Sequence, residues 1–392
     1  MAYTIHAHTL TSAIGAGLEA TNNSILSNRP GVTSAPWPGC DLSTWVGSVS
    51  EELLAKCDIP EKWESRNNRL ALLALKQDGF EQEARLAVQQ TGPDRCGLII
   101  GTSTASIGET EHAYTRLDID GRFRRSDIQS KVHNPHSTTA FIAEYLGVAG
   151  PAATISTACS SSAKAFANAA RWLDCGLVDT VIVGGVDTLC LSVLYGFNSL
   201  QLVSEKPCSP FDVNRTGINL GEAGGYAIIS KRNDASKPKL LGYGESTDAW
   251  HMSTPHPEGL GARLAMQSAL QMARLETIDI DYLNLHGTGT RANDAVEGKT
   301  TAGLFHHEVD VSATKCWTGH TLGAAGITEA ILCINAIQTS LIPGTITTTQ
   351  PETELAPRVL LENTERTVRT AMSNSFGFGG NNCTLIIGAE AQ

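Results

Sequence analysis

Short, continuous apolar runs alternate along the chain with stretches whose apolar positions recur at helical spacing. Cys96-Gly-Leu-Ile-Ile-Gly101, Thr180-Val-Ile-Val-Gly-Gly185 and Tyr282-Leu-Asn-Leu-His286 predict strands. Apolar strands of this kind are normally covered by helices on both faces. Asn68 to Lys76, Gly261 to Leu275 and Gly326 to Ile337 predict helices, the second with Leu264, Met266, Leu270 and Met272 set among alanines. The alternation is α/β order. Polar residues and Pro238 in the segment from Asp234 to Leu240 mark a seam between two βα-rich halves, residues 1–237 and 238–392. Residues 29–48 and 343–357, the latter with Pro343, Pro351 and Pro357, read as loops.

Composition narrows the class. At about 150 residues per domain, the chain suits two domains or one large α/β unit. A hydrophobic share of 41% with 37 glycines is globular and excludes disorder. The 29 basic and 40 acidic residues leave a net charge of -11, so tracking nucleic acid by bulk charge is excluded, and an acidic partner needs a local basic patch. The start Met1-Ala-Tyr-Thr-Ile-His lacks a basic segment followed by an apolar core. No uncharged apolar run reaches about 18 residues. The expectation is a soluble cytoplasmic protein without membrane contact. Ten cysteines without a C-x-x-C pair argue against a zinc ribbon or a disulfide framework and leave room for a reactive thiol.

Four segments carry candidate chemistry. In Ile155-Ser-Thr-Ala-Cys-Ser-Ser-Ser-Ala-Lys-Ala-Phe166 a strand ends, Cys159 follows, and an alanine-rich helix begins. Unpaired N–H groups and the positive end of a helix dipole favour a thiolate there, which predicts a nucleophilic Cys159. The ordinary alternative is a buried small hydrophobe beside Ser160 to Ser162 acting as caps. Asn284-Leu-His286-Gly-Thr-Gly-Thr290 and Lys315-Cys-Trp-Thr-Gly-His320-Thr-Leu-Gly-Ala-Ala-Gly326 each set a histidine among glycines, where an imidazole N–H has access to a developing oxyanion. Taken singly, each is as readily a satisfied loop histidine. A dinucleotide loop is excluded because G-x-G-x-x-G is absent. Ser373-Asn-Ser-Phe-Gly-Phe378-Gly-Gly-Asn-Asn382 reads as a glycine-rich turn between two strands, either a plain hairpin with stacked phenylalanines or an oxyanion site with an aromatic gate.

Read in order, these segments resemble the β-ketoacyl-acyl-carrier-protein synthases, condensing enzymes of the thiolase superfamily, over essentially the whole chain. Thr11-Ser-Ala-Ile-Gly-Ala-Gly-Leu, the T-A-C-S-S-S turn, Pro210-Phe-Asp-Val-Asn-Arg215-Thr-Gly, Gly221-Glu-Ala-Gly-Gly225, H-G-T-G-T, K-x-x-x-G-H-T-x-G-A-A-G and N-S-F-G-F-G-G carry the likeness. The resemblance implies an α/β fold of duplicated βαβαβαββ halves in five αβαβα layers. It implies acyl transfer from acyl carrier protein to Cys159, then decarboxylative condensation with malonyl thioester, without metal or other cofactor. His286 and His320 are the implied active-site histidines, with Lys315 the family's lysine and Glu329 its downstream glutamate. The backbone N–H groups of Cys159 and Phe378 are the implied oxyanion donors, and Thr288, Thr290 and Phe376 the substrate contacts. Asp294 and Glu297 match an acidic pair of the family, but we read Asp-Ala-Val-Glu as a helix capping box. Arg66 and Arg69 match a basic carrier-docking helix, and Arg122, Arg124 and Arg125 form a second cluster. A dimer is implied, with an identical or a homologous chain-length-factor subunit; the apolar run Thr180 to Asp187, which lacks Lys and Pro, suits edge pairing across that dimer and suits an internal strand equally well.

Asn381, the second glycine of H-G-T-G-T and Gly221-Glu-Ala-Gly-Gly depart from the commoner fatty acid pattern, and H-G-T-G-T is commoner in polyketide-type synthases, so a polyketide, polyene or aryl polyene setting stands beside fatty acid synthesis. A degradative thiolase would need a C-terminal C-x-G cysteine that Cys383 does not supply. A chain-length factor would lack the cysteine. A metal hydrolase built on His306 and His307 is the weakest alternative.

Overall fold

In this computed structural model the described residues are 2–34, 37–305, 309–352 and 358–389. The apolar runs form ten main strands: β1 (Tyr3–Ser12), β2 (Cys96–Gly101), β3 (Ala152–Ile155), β4 (Thr180–Asp187), β5 (Ala223–Ser230), β6 (Lys239–Thr247), β7 (Tyr282–Asn284), β8 (Asp310–Ser312), β9 (Thr370–Gly377) and β10 (Asn381–Gly388). The first five pair in the order β3-β2-β4-β5-β1 and the last five in the order β8-β7-β9-β10-β6, the same order twice. In each set the first three strands are parallel and the last two join antiparallel. A short antiparallel ladder, Tyr3 opposite Leu240 and Thr4 opposite Lys239, connects them.

Helices Ser161–Asp174 and Ala325–Thr339 pack against each other and against strands of both sets, forming the middle layer. Helix Arg66–Leu75 covers the outer face of the first set, and Leu260–Ala273 that of the second, completing the expected αβαβα stack. The segment Leu322–Thr339 is long and apolar enough to cross a membrane, but it is 83% buried inside the protein as this middle layer. Its contact with the other central helix is backbone-close: a Cβ at Gly326 would lie 2.4 Å from Ala163 N. That approach brings the turn carrying His320 against the helix that follows Cys159.

Thr180–Asp187 is the internal strand and not the edge of a dimer sheet. It pairs along its length with β2 on one side and β5 on the other, and all its residues are buried. It therefore has no free edge, and its lack of Lys or Pro reflects a central position. The outer strand of that sheet is Ala152–Ile155, half-buried throughout. The glycine-rich segment near the C-terminus is also more strand than turn: Asn374 pairs with Thr384 and Gly377 with Asn381, leaving only Phe378–Gly380 as the connection. Gly379 and Gly380, with φ of 77° and 74°, permit so tight a link.

Candidate active site

Chain direction places Cys159 between the end of β3 and helix Ser161–Asp174. Ala158 takes φ 51°, a left-handed conformation that costs an alanine about 1–2 kcal/mol. The serines hold it: Ser161 Oγ accepts from Thr157 N at 2.9 Å and donates to Ala158 O at 2.6 Å, while Ser160 Oγ donates to Thr157 O at 2.9 Å. They brace the elbow and do not cap the helix. Cys159 is thus buried at one wall of a cavity of about 170 Å³ that His286, His320, Phe197, Phe376 and Phe378 also line.

The two halves of the chain meet there. Cys159 Sγ and one ring nitrogen from each of His286 and His320 lie within 4.8 Å of one another. The imidazoles stand edge to face, 5.4 Å between centroids. Lys315 Nζ sits 3.2 Å from His286 Nδ1, donates to the His286 carbonyl, and pairs with Glu329. An ammonium donor at Nδ1 puts the imidazole proton on Nε2. In His320, Nδ1 accepts from Leu322 N at 2.9 Å, with the same result, and the buried Nε2 has no protein partner. Both histidines therefore hold Nε2–H donors. A Cys-His-His set also suits a soft cation, but the Lys315 ammonium opposes one. His306 and His307 lie outside the described residues.

Asp294 and Glu297 correct the capping-box reading. Thr290 is the helix cap, accepting from Asn293 N. Both carboxyls are buried: Glu297 accepts from His286 N at 2.7 Å and Gly287 N at 2.8 Å, and Asp294 from Phe211 N at 2.8 Å. They hold the histidine loop from beneath. Burial, opposed by those N–H groups, lifts Glu297 to about 7, and burial lifts Glu329 to about 7 against the pull of Lys315.

Electrostatics cut both ways for Cys159: its thiol is raised less than those of the core cysteines Cys208, Cys333 and Cys383, yet it does not rest as a thiolate. Burial pushes the Cys159 thiol up to about 11, and the opposing Lys315 charge and the N–H groups of Phe378 and Cys159 do not overcome it. Desolvation outweighs the helix end. Burial and then Lys315 hold both imidazoles well below their ordinary value, so they are neutral near pH 7. Because the thiol pKa is raised, the reactive thiolate is a minor species at neutral pH. Iodoacetamide alkylation of Cys159 is expected to accelerate about tenfold per pH unit above neutrality, and a plateau already reached below about pH 8 would contradict it.

The aromatic residues wall the cavity. Phe378 stacks on Phe197 at 5.4 Å, and Phe376 tilts against His286 at 6.0 Å. Thr288 and Thr290 line it with hydroxyls 2.9 Å apart. Phe197 belongs to no motif, and the sequence reading misses it. Arg66 and Arg69, the expected docking residues, are both partly exposed and paired within the fold. Arg66 bonds Glu222 and Glu51, and Arg69 bonds Glu64 at 2.6 Å and the Cys57 carbonyl, so both guanidinium groups are bound within the fold. Arg124 is exposed.

The chain matches the model of the β-ketoacyl synthase N-terminal domain over residues 66–235 and that of the C-terminal domain over residues 239–349. It is 33% identical to nodulation protein E of Rhizobium meliloti (strain 1021) over 369 residues, 89% of this chain and 90% of that protein. It is 32% identical to 3-oxoacyl-[acyl-carrier-protein] synthase 2 of Staphylococcus aureus over 321 residues, 78% of this chain and 80% of the relative. A solved structure of the ketosynthase ApeO in complex with its chain length factor ApeC, from Xenorhabdus doucetiae, superposes with a TM-score of 0.87 at 35% identity, covering 99% of this chain and 98% of that one. With both family domains matched in order and such identity sustained along the chain, the protein belongs to the β-ketoacyl synthases, the condensing acyltransferases of the thiolase superfamily.

Proposed function

We propose that Cys159 carries the acyl chain and that His286 and His320 stabilise the malonyl-derived enolate. The observation that carries this is the convergence of one thiol and two neutral Nε2–H imidazoles on a single buried cavity. Cys159 sulfur attacks the carrier-bound thioester, and the carrier thiol leaves with the proton that Cys159 gives up. Malonyl thioester then loses carbon dioxide, the electron pair of the broken C–C bond becoming an enolate whose oxygen accepts from the two histidines. Its carbon attacks the acyl carbonyl, whose oxygen is held by the N–H groups of Cys159 and Phe378. The Cys159 thiolate then leaves, takes up a proton, and the carrier holds a 3-oxoacyl chain two carbons longer. Lys315, paired with Glu329, positions His286.

The acyl donor is acyl carrier protein, and the second subunit a homologous ketosynthase or chain-length-factor chain. Support comes from the likeness to a ketosynthase solved with its chain length factor, the half-buried outer strand Ala152–Ile155, and exposed Tyr114, Ile119, Phe123 and Ile128 between β2 and β3. H-G-T-G-T favours a polyene or polyketide pathway, and ten free cysteines suit a reducing, cytoplasmic setting. The test is intact-mass analysis after incubation with a panel of acyl carriers and malonyl carrier, with and without a homologous subunit. We expect an acyl adduct, a product two carbons longer, and turnover that depends on the second subunit. A fully active monomer overturns the subunit, and absence of any adduct overturns the acyl-enzyme.

A further inference from the structure

The turn that carries His320 is gripped by a carboxylate outside the reacting set. Asp187 ends β4 and is fully buried. Its Oδ1 accepts from Thr102 Oγ1 at 2.6 Å and from Thr104 N at 3.0 Å. Its Oδ2 accepts from Ser103 N at 2.7 Å and, across to the other half of the chain, from Gly323 N at 2.6 Å. The Gly323 peptide is clasped on its other side too, where Ser162 Oγ donates to Gly323 O at 2.6 Å. Position 323 has no room for a side chain: a Cβ would lie 2.5 Å from Ser103 N and 2.6 Å from Asp187 Oδ2.

That grip acts on a strained neighbour. Leu322 has φ 57°, a conformation unfavourable for leucine, and in it the Leu322 N–H meets His320 Nδ1. We propose that Asp187 is a positioning residue for His320: through Gly323 it holds the Leu322 turn whose N–H fixes the imidazole as an Nε2–H donor toward Cys159. The sequence signal is a single acidic residue closing the apolar run V-I-V-G-G-V. The inference rests on the role given to His320 above, and it locates in the N-terminal half a residue that tunes a donor supplied by the C-terminal half.

Asp187→Asn turns one acceptor toward the same N–H groups as a donor. In that variant, acyl loading of Cys159 is expected to proceed as in the wild type, while malonyl decarboxylation slows about 100-fold, the effect of misplacing one oxyanion donor. The His320 ring-nitrogen NMR signals are expected to change from one tautomer to a mixture, a readout that simple loss of stability does not produce. Where Asp187→Asn does not fold, Ser162→Ala loosens the same peptide from the other side, and a shift of the His320 signals in the same direction is required. A folded Asp187→Asn enzyme, or failing that Ser162→Ala, with unchanged His320 signals and wild-type decarboxylation overturns the proposal. A His320→Ala enzyme run alongside separates the two claims: if it decarboxylates normally, the role of His320 is wrong, whereas if it is slow and Asp187→Asn is not, only Asp187 is misassigned.

Discussion

Cys159→Ala is expected to abolish the acyl-enzyme outright, leaving no mass increase when the protein is incubated with acyl carrier protein bearing an acyl chain. Among the described residues no other cysteine lines the Cys159 cavity. Cys96, Cys208, Cys316, Cys333 and Cys383 are buried with thiols pushed up to or beyond about 12, and among the described residues Cys159 alone shares a cavity with both histidines. Condensation falls with acylation, because the electrophile no longer exists. Cys159→Gln separates the two halves of the reaction: its amide stands where the thioester carbonyl would be, so carbon dioxide release from malonyl carrier is expected to persist without condensation. An acyl adduct on Cys159→Ala would overturn the assignment.

The histidine variants are expected to show the complementary pattern. Enolate stabilisation enters only after the acyl group is loaded, so His286→Ala and His320→Ala retain acyl transfer and lose decarboxylation by about 100 to 1,000-fold each. The two imidazoles share one cavity and one incoming oxygen, so the double variant is expected to lose less than the product of the single losses. Because burial and Lys315 keep both rings neutral, no imidazole titration is expected in the wild-type decarboxylation profile between pH 8 and 6, and any step there is expected to follow the Glu297 and Glu329 carboxyls, lifted to about 7. The measurement is carbon dioxide release from malonyl carrier beside intact-mass detection of the acyl adduct. Normal decarboxylation by both variants would overturn the assignment.

Much of this protein is legible in one dimension. Continuous apolar runs specify strands buried on both faces, and helical spacing over Gly261 to Leu275 and Gly326 to Ile337 matches helices Leu260–Ala273 and Ala325–Thr339 to within a few residues. Cys159, His286 and His320 are visible because each sits in a run of small residues that leaves backbone and substrate room, and such runs are local in sequence. What depends on distant partners is not local. A strand such as Thr180–Asp187 looks alike at a sheet edge and in a sheet centre until its neighbours are known, and they come from residues 96–101 and 223–230. Arg66 and Arg69 read as surface charge until the fold supplies Glu222 and Glu64, and Asp294 and Glu297 as a cap until it turns them under the histidine loop. The Cys159 thiol is the sharpest instance. Sequence placed it at a helix end that favours the thiolate, and only tertiary burial, which strips water from the anion at greater cost than the helix end recovers, decided that it rests as the thiol.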